Sequence, residues 1–393
     1  MTGRLRVLSL STLYPSDQNP SFGIFVERQM QAVARQGEVD LTLVNPIGLP
    51  PFPLSLHPRY RPLQTLPEQE LRGGVNVLRP RFTLLPKIGA RFNAGAIVRA
   101  VLPIARHLHA ERPFDLVDAQ FFHPDGYAAV RIAAVLGLPV SIKARGADIH
   151  YWGRQRATAA QVRKAGRRAT GLLSVSQGLV EEMAALGIPR EKVTLHRTGL
   201  DGDLFRPYDR RMCRDQLGLP RDKPVLATVG ALIPRKGQRF AIGALPSLPD
   251  AILLVAGKGP DEAQLRKLAQ ELGVAERVRF LGPVPHNELP IVLNAADVFI
   301  LPSASEGLAN AWVEALACGT PVVTTPIPGA TELITDPHWG RLVPRESTAI
   351  AAAVAALLAQ QPAPERVQAA VAGMSWQANA AALVAHWRRL ADR

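Results

Sequence analysis

The residues best equipped for chemistry fall in two short stretches of the second half of the chain. The first is Gly230-Ala231-Leu232-Ile233-Pro234-Arg235-Lys236-Gly237-Gln238, a loop between an apolar run and a helical pattern. Two adjacent cations beside a helix start suit a diphosphate, because free backbone N–H groups and the helix dipole add to their charge. Arg235 and Lys236 could then stabilise the charge developing on a departing nucleotide diphosphate without a metal. As ordinary surface cations they would do no more than solvate a loop. The second stretch, Glu306-Gly307-Leu308-Ala309 followed by Glu314-Ala315, leads into Ala317-Cys318-Gly319-Thr320-Pro321. At about 1.5 Å of rise per helical residue, the two carboxylates stand on the order of 10 Å apart. That is too far for a paired general acid and base, and it suits two carboxylates holding opposite ends of an extended ligand. On an exposed helix the same spacing would be a solvated face, so the surrounding elements decide.

Those elements alternate strand and helix. Strands are expected at Leu5–Ser11, Asp40–Val44, Leu116–Ala119, Val140–Lys143 and Leu172–Val175, with a helix at Ile24–Arg35 whose apolar face is Phe25, Met30 and Val33. The pattern restarts after a polar linker, Asp201–Lys223. Strands follow at Val225–Val229, Ile252–Ala256, Arg277–Leu281, Val298–Leu301 and Pro321–Thr324, with helices at Asp261–Leu272 and Ala309–Ala317. Such alternation predicts two doubly wound, parallel α/β sheets, residues 1–203 and 204–375, with ligand bound at their carboxyl edges in a cleft between them. A final helix, 376–393, is expected to cross back onto the first domain. The stretch Pro50–Arg91, rich in Pro and Arg, reads as an insertion outside the core.

Composition narrows the class. No run of about 18 apolar residues is present to span a bilayer, and two cysteines, Cys213 and Cys318, allow no disulfide framework, so a cytoplasmic enzyme is expected. The net charge of +13 is lopsided: residues 1–200 carry 26 Lys and Arg against 14 Asp and Glu, and the remainder 20 against 19. A surplus confined to one half points to an acidic partner of that half, and an anionic membrane surface is the expected one; nucleic acid is not. Leu54–His109 interleaves Arg59, Arg61, Arg72, Arg79, Arg81, Lys87, Arg91, Arg99 and Arg106 with apolar residues such as Phe82, Leu85, Ile88, Phe92, Ile97 and Val98. This is the pattern of a segment lying at a lipid interface.

Further motifs occur in a fixed order. They are Val255-Ala256-Gly257-Lys258-Gly259-Pro260, Arg279-Phe280-Leu281-Gly282-Pro283-Val284-Pro285, and Gly329-Ala330-Thr331-Glu332-Leu333, together with Val175-Ser176-Gln177, Thr198-Gly199-Leu200-Asp201 and Ser375-Trp376. With the two stretches above, they resemble the retaining glycosyltransferases of family 4, of the two-domain GT-B fold, over nearly the whole chain. Leu13-Tyr14-Pro15-Ser16, Gly23-Ile24-Phe25-Val26 and His123-Pro124-Asp125-Gly126 are similar to the TuaC-like teichuronic acid and exopolysaccharide branch. The resemblance implies transfer of a sugar from a UDP- or GDP-sugar to a glycan or lipid-linked acceptor, with no further cofactor and no metal. It implies that Arg235 and Lys236 hold the donor diphosphate, Glu314 the ribose and Glu306 the transferred sugar. Leu308 and Ala309 would lie near the phosphates, Val284 near the base, and Gly23 would let backbone approach the donor.

Two departures stand out. Ala231 occupies a position where many members carry Arg, and Arg145-Gly146-Ala147-Asp148 replaces the family's His-Gly-x-Asp. Arg145 cannot act as a base near neutral pH, but it can bind a phosphate or a hydroxyl. Asp148 is either an active-site carboxylate or a helix cap, and His123 either a cleft residue or a satisfied loop histidine. The family scheme is front-face transfer in which the leaving phosphate takes the acceptor proton, so no protein nucleophile is needed. Asp201-Gly202-Asp203 is the nearest approach to an Asp-x-Asp metal motif and reads as a polar turn. A sugar-nucleotide epimerase, a phosphorylase, or a non-catalytic membrane-associated assembly subunit on the same fold are the competing expectations; donor hydrolysis separates them.

Overall fold

The structure is a computed structural model that describes residues 3–86 and 89–392. The chain divides into two compact units, one of Met1–Gly199 with Trp376–Arg393 and the other of Leu200–Ser375. The first boundary therefore lies at Gly199, ahead of the acidic turn at Asp201–Asp203.

Unit 1 is built on β1 (Leu5–Leu10), β2 (Val39–Val44), β3 (Ile47–Leu49), β4 (Gln69–Arg72), β5 (Val75–Leu78), β6 (Arg81–Thr83), β7 (Leu116–Ala119), β8 (Val140–Ala144), β9 (Gly171–Ser174) and β10 (Val193–Leu195). Eight of these form one sheet in the order β10-β9-β8-β7-β1-β2-β5-β4, and β3 pairs with β6 in a separate ribbon. Only the β4–β5 pair is antiparallel. The central strands are buried on both faces, as strands covered by helices on both sides are, although Ser9, Asp118, Ser141 and Lys143 are buried among their apolar residues. The helix Ile24–Gln36 buries Val26, Met30 and Val33, a spacing of 3 to 4 residues that keeps one stripe against the sheet. Phe25 is partly buried and packs against the same core. The helix Trp376–Ala391 packs on Ile24–Gln36, with Leu383, Val384 and Trp387 in the same core.

The stretch Pro50–Arg91 corrects one expectation. It is not wholly an insertion, because β5 lies inside it and continues the sheet beside β2. Val75 and Val77 are fully buried there. The helix that follows, Ala90–Glu111, buries Ala94, Ile97, Val98 and Val101.

Unit 2 repeats the architecture with β11 (Val225–Val229), β12 (Ile252–Ala256), β13 (Val278–Gly282), β14 (Val298–Ile300), β15 (Val322–Thr324) and β16 (Gly340–Leu342). All pair in parallel, in the order β13-β12-β11-β14-β15-β16. The strand order reverses between β11 and β14, the kind of position at which open α/β sheets bind ligands beyond their carboxyl ends. The loops leaving β11 and β14 hold the Arg235-Lys236 stretch and Glu306. Among the described residues no helix is long and apolar enough to cross a membrane.

Candidate functional site

In unit 2 the loop after β11 and the loop after β14 are stitched together. The backbone N–H of Ala304 donates to the carbonyl of Arg235 at 2.8 Å. Arg345 fixes the same loop from below: Nε donates to Pro302 O at 2.7 Å, and Nη2 to Pro234 O and Arg235 O at 2.5 and 2.9 Å. Gly237 has φ of 78° and a Cβ there would strike the carbonyl of Pro302, so only glycine lets the two loops meet.

This stitching brings Arg235 and Lys236 onto one carboxylate. Lys236 Nζ lies 2.6 Å and Arg235 Nη1 2.9 Å from Glu306 Oε1. Burial pushes the Glu306 carboxyl up, but Lys236 and Arg235 outweigh it and hold the group below the usual carboxylate range. The trio therefore keeps one net positive charge. Glu314 is the fifth residue of the helix Asn310–Ala317, with Ala309 at its N-cap position and Leu308 just before it. Its Oε1 accepts from His286 Nε2 at 2.9 Å. His286 is braced edge-on by Phe205, ring centroids 5.0 Å apart, and its buried Nδ1 has no partner. Val284, two residues earlier, packs on the same core as Leu308. Ala231 is exposed and leaves its position without a cation.

Unit 1 gathers its candidates at the carboxyl ends of β1, β7 and β8. Gly23 caps the helix Ile24–Gln36 with φ of 74°, and a Cβ there would lie 2.5 Å from the backbone of Leu13. The chain's own loop thus requires the glycine, whatever approaches from outside. Asp148 spends its carboxylate on backbone N–H groups: those of Arg145 at 3.0 Å, Gly146 at 2.8 Å and Phe122 at 3.1 Å. Burial pushes its pKa up and those backbone bonds pull it back, leaving it raised. It fastens the loop after β8 to the loop after β7. Arg145 donates through Nε to Gln120 O at 2.9 Å and through Nη2 to Gln29 Oε1 at 2.7 Å and to the side-chain oxygen of Gln120. Its guanidinium lies over the Phe25 ring, 4.8 Å from the centroid. Burial draws its pKa down to about 10, so it remains a cation at neutral pH.

His123 is fully buried, 5.1 Å from Trp152. Burial drops its pKa to about 4. The backbone of Ala90 opposes this shift, but it is not in hydrogen-bonding geometry, and neither ring nitrogen has a partner. Nearby, Asp125 accepts from the Thr12 N–H at 2.9 Å, and burial raises it to about 7.

Several residues that position this machinery were not visible as a pattern. Lys143, buried, donates to His196 Nδ1 at 2.8 Å, and His196 Nε2 donates to the carbonyl of Asn379 at 2.8 Å. Gln29, which holds Arg145, itself donates to Asn379 Oδ1 at 2.7 Å. The helix Trp376–Ala391 is therefore wired to Arg145 through two side chains. Sequence reasoning passes over His286 and Arg345 because their partners lie 28 and 43 to 111 residues away in the chain.

The basic apolar segment is divided by the structure. Arg79 is 1% exposed and bonds Asn45, the carbonyl of Pro15 and Glu70, so it cannot meet a lipid surface. Phe82, Ile97 and Val98 are core. Lys87 and Ile88 lie outside the described residues.

Two family models match the chain: residues 23–199 match a glycosyl transferase 4-like domain and residues 209–373 the glycosyl transferases group 1. The chain is 29% identical over 360 residues to a teichuronic acid biosynthesis glycosyltransferase, TuaC, of Bacillus subtilis, covering 89% of this chain and 88% of that one. It is 40% identical over 163 residues to D-inositol 3-phosphate glycosyltransferase of Mycobacterium tuberculosis, a match confined to 40% of this chain and 34% of that protein. Two solved structures share the fold. Sucrose-phosphate synthase of Thermosynechococcus elongatus has a TM-score of 0.77 at 22% identity, covering 98% of this chain and 99% of that one. Anabaena HepE in complex with UDP-glucose has a TM-score of 0.76 at 21% identity, covering 98% and 100%.

Proposed function

The chain belongs to the group 1, family 4-like glycosyltransferases of the GT-B fold, and from that premise we propose that it transfers a sugar from a UDP- or GDP-sugar with retention and without a metal. The acceptor in this proposal is a glycan or lipid-linked glycan of cell-surface or exopolysaccharide synthesis, met at the cytoplasmic face of a membrane. The observation that carries it is the convergence of Arg235 and Lys236 on Glu306. A donor diphosphate entering there meets two cations already gathered, partly shielded from water and net positive. Such preorganised charge lowers the barrier to leaving-group departure without reorganisation during the reaction.

The remaining roles follow from position. Glu314, oriented by His286, takes the ribose hydroxyls, with Val284 beside the base and the backbone of Leu308 and Ala309 beside the phosphates. Glu306 holds the hydroxyls of the transferred sugar. As the sugar–phosphate bond breaks, the leaving phosphate oxygen takes the acceptor hydroxyl proton, and the acceptor oxygen bonds the anomeric carbon on the same face. Arg145, still charged and held by Gln120 and Gln29, sets the positive charge that the acceptor side of unit 1 presents. Asp148 acts as a positioning residue for Arg145, and His123, neutral above about pH 5, offers a ring nitrogen to a hydroxyl.

Calorimetry with UDP and GDP in the presence of EDTA tests the donor half of the proposal. Micromolar binding that Glu314→Ala weakens, together with EDTA-resistant donor turnover, is the expected result. Binding or turnover that appears only on adding manganese or magnesium would overturn the metal-free scheme.

A further inference from the structure

Among the described residues, exposed large apolar side chains are not scattered evenly over unit 1. Phe52, Leu54 and Leu56 are 79%, 55% and 57% exposed, and Leu85 and Phe92 are 37% and 49% exposed. The β3–β6 ribbon brings together the chain segments that carry these two groups. Leu49 pairs with Thr83 at the carboxyl end of the ribbon, and the N–H of Leu84 donates to Leu49 O at 2.9 Å. The segments that leave the two strands, 50–56 and 84–92, therefore start side by side. In the second, the N–H of Gly89 donates to Leu85 O at 2.8 Å and the N–H of Phe92 to Gly89 O at 2.8 Å, which holds Leu85 and Phe92 to the same glycine. Singly exposed apolar residues need no explanation, but a clustered set does.

The charge carried by these segments has one sign. Arg59, Arg61 and Arg91 are exposed, and the chain has no Asp or Glu from Leu41 to Pro67 or from Leu71 to Ala110. A protein-binding patch gains specificity from mixed charges that match a partner's, whereas apolar tips on segments whose charges are all basic match an anionic lipid surface. The guanidinium of Arg91 lies over the Phe92 ring, 4.6 Å from its centroid, which keeps a cation and an aromatic ring together at the depth where headgroups meet acyl chains.

We propose that this cap, Phe52, Leu54, Leu56, Leu85 and Phe92 with Arg59, Arg61 and Arg91, is the surface by which the protein docks on anionic lipid. It refines the membrane reading above, on which it rests, and it moves the contact away from Arg79 and the buried face of the Ala90–Glu111 helix. The cap also lies close to the acceptor candidates. The helix that carries Phe92 begins at Ala90, whose backbone approaches His123. A docked cap would thus bring the His123 side of unit 1 to the plane in which a lipid-linked acceptor resides.

Co-sedimentation of the full-length protein tests this, using vesicles of phosphatidylcholine with phosphatidylglycerol against vesicles of phosphatidylcholine alone. The wild-type protein is expected to bind the anionic vesicles and to be released by salt. Each cation near such a surface strengthens binding about fivefold. Arg59→Ser/Arg61→Ser/Arg91→Ser should therefore weaken it by about a hundredfold, and Phe52→Ser/Leu54→Ser/Leu56→Ser by at least tenfold. Arg4→Ser/Arg35→Ser, exposed cations at the amino edge of the same sheet, should bind as the wild type does. Wild-type protein that ignores anionic vesicles, or cap variants that bind undiminished, overturns the assignment. So does a dimer that the apolar triple variant abolishes without any vesicle binding, which would make the cap a self-association face. Nucleotide binding is the independent readout: cap variants should keep it, and its absence from the wild type would sink the transfer reading while leaving the vesicle result intact.

Discussion

The carboxyl edges of the two sheets handle charge in opposite ways. In unit 2, Arg235, Lys236 and Glu306 sit on loops, partly open to solvent, and satisfy one another across two loops stitched by Arg345. In unit 1, Lys143, Arg145, Asp118 and Asp148 are buried and each is consumed by internal hydrogen bonds. Asp118 alone accepts from Ser9 at 2.8 Å, Gln120 at 2.6 Å and Trp387 at 3.1 Å. The first arrangement can trade its internal partner for a ligand at little structural cost. The second cannot, because an uncompensated buried charge costs several kcal/mol. Substitutions in unit 2 should therefore read out in binding and turnover, and substitutions in unit 1 in stability.

The largest effect should come from Asp148→Ala. Three backbone N–H groups lose a charged acceptor in a fully buried setting, and unfolding free energy should fall by about 3–5 kcal/mol. The change is read as a lower urea midpoint. A stable Asp148→Ala protein with lost turnover would break the contrast and make Asp148 a catalytic residue.

Lys236→Ala should do the reverse. Turnover with a nucleotide-sugar donor should drop by about two to three orders of magnitude, the scale of a lost oxyanion stabiliser, while the melting temperature hardly moves. Arg235 keeps the Glu306 carboxylate paired when Lys236 is gone, so a large loss of stability here would show that the trio is structural.

His123 sharpens the contrast through pH. Its folded pKa is about 4, against 6.5 for the free side chain. Between those values the unfolded chain binds the proton and the folded one does not, so stability falls as pH falls from 6.5 to 4. The loss amounts to roughly 3 kcal/mol by the pKa difference. His123→Phe should flatten that part of the urea-denaturation profile. An unchanged slope would mean that the ring is hydrated in solution and not buried as found.

How much of this was legible in the sequence depends on distance along the chain. The apolar runs of β11 and β12 announce themselves, because a strand covered on both faces is mostly apolar. β5 does not. Its four residues lie between Gly73-Gly74 and Arg79-Pro80, and only pairing with β2, some 34 residues earlier by register, makes it a strand. Arg235, Lys236, Glu306 and Glu314 stand out by type and spacing, yet nothing local says that Glu306 is the partner of the two cations 70 residues before it. Arg145 looked like a replaced histidine. The reason it can be tolerated, Gln29 and Asn379 behind it, comes from helices 116 and 234 residues away. The arginines of 54–109 looked equivalent in sequence, and only folding buried Arg79 while leaving Arg59, Arg61 and Arg91 outside.

Glu314→Ala should weaken nucleotide binding by about 1.5–3 kcal/mol, since hydroxyl groups lose a charged acceptor. Unchanged calorimetric affinity would remove Glu314 from the ribose site.

The smallest effect is the one that asks most of the geometry. His286 Nε2 donates to Glu314 Oε1, which leaves the other carboxylate oxygen to face a ligand and stops the group from rotating. Phe205 holds the imidazole from the side. His286→Phe keeps a ring against Phe205 and deletes only the bond to Glu314, worth about 1 kcal/mol. Nucleotide affinity should fall about fivefold by that figure, with turnover at saturating donor unchanged. Combined with Glu314→Ala the second change should add nothing, because a residue that acts through another has no effect once the other is gone. Additive losses in the double variant would mean that His286 touches the nucleotide itself, with its unpartnered Nδ1 as the contacting atom.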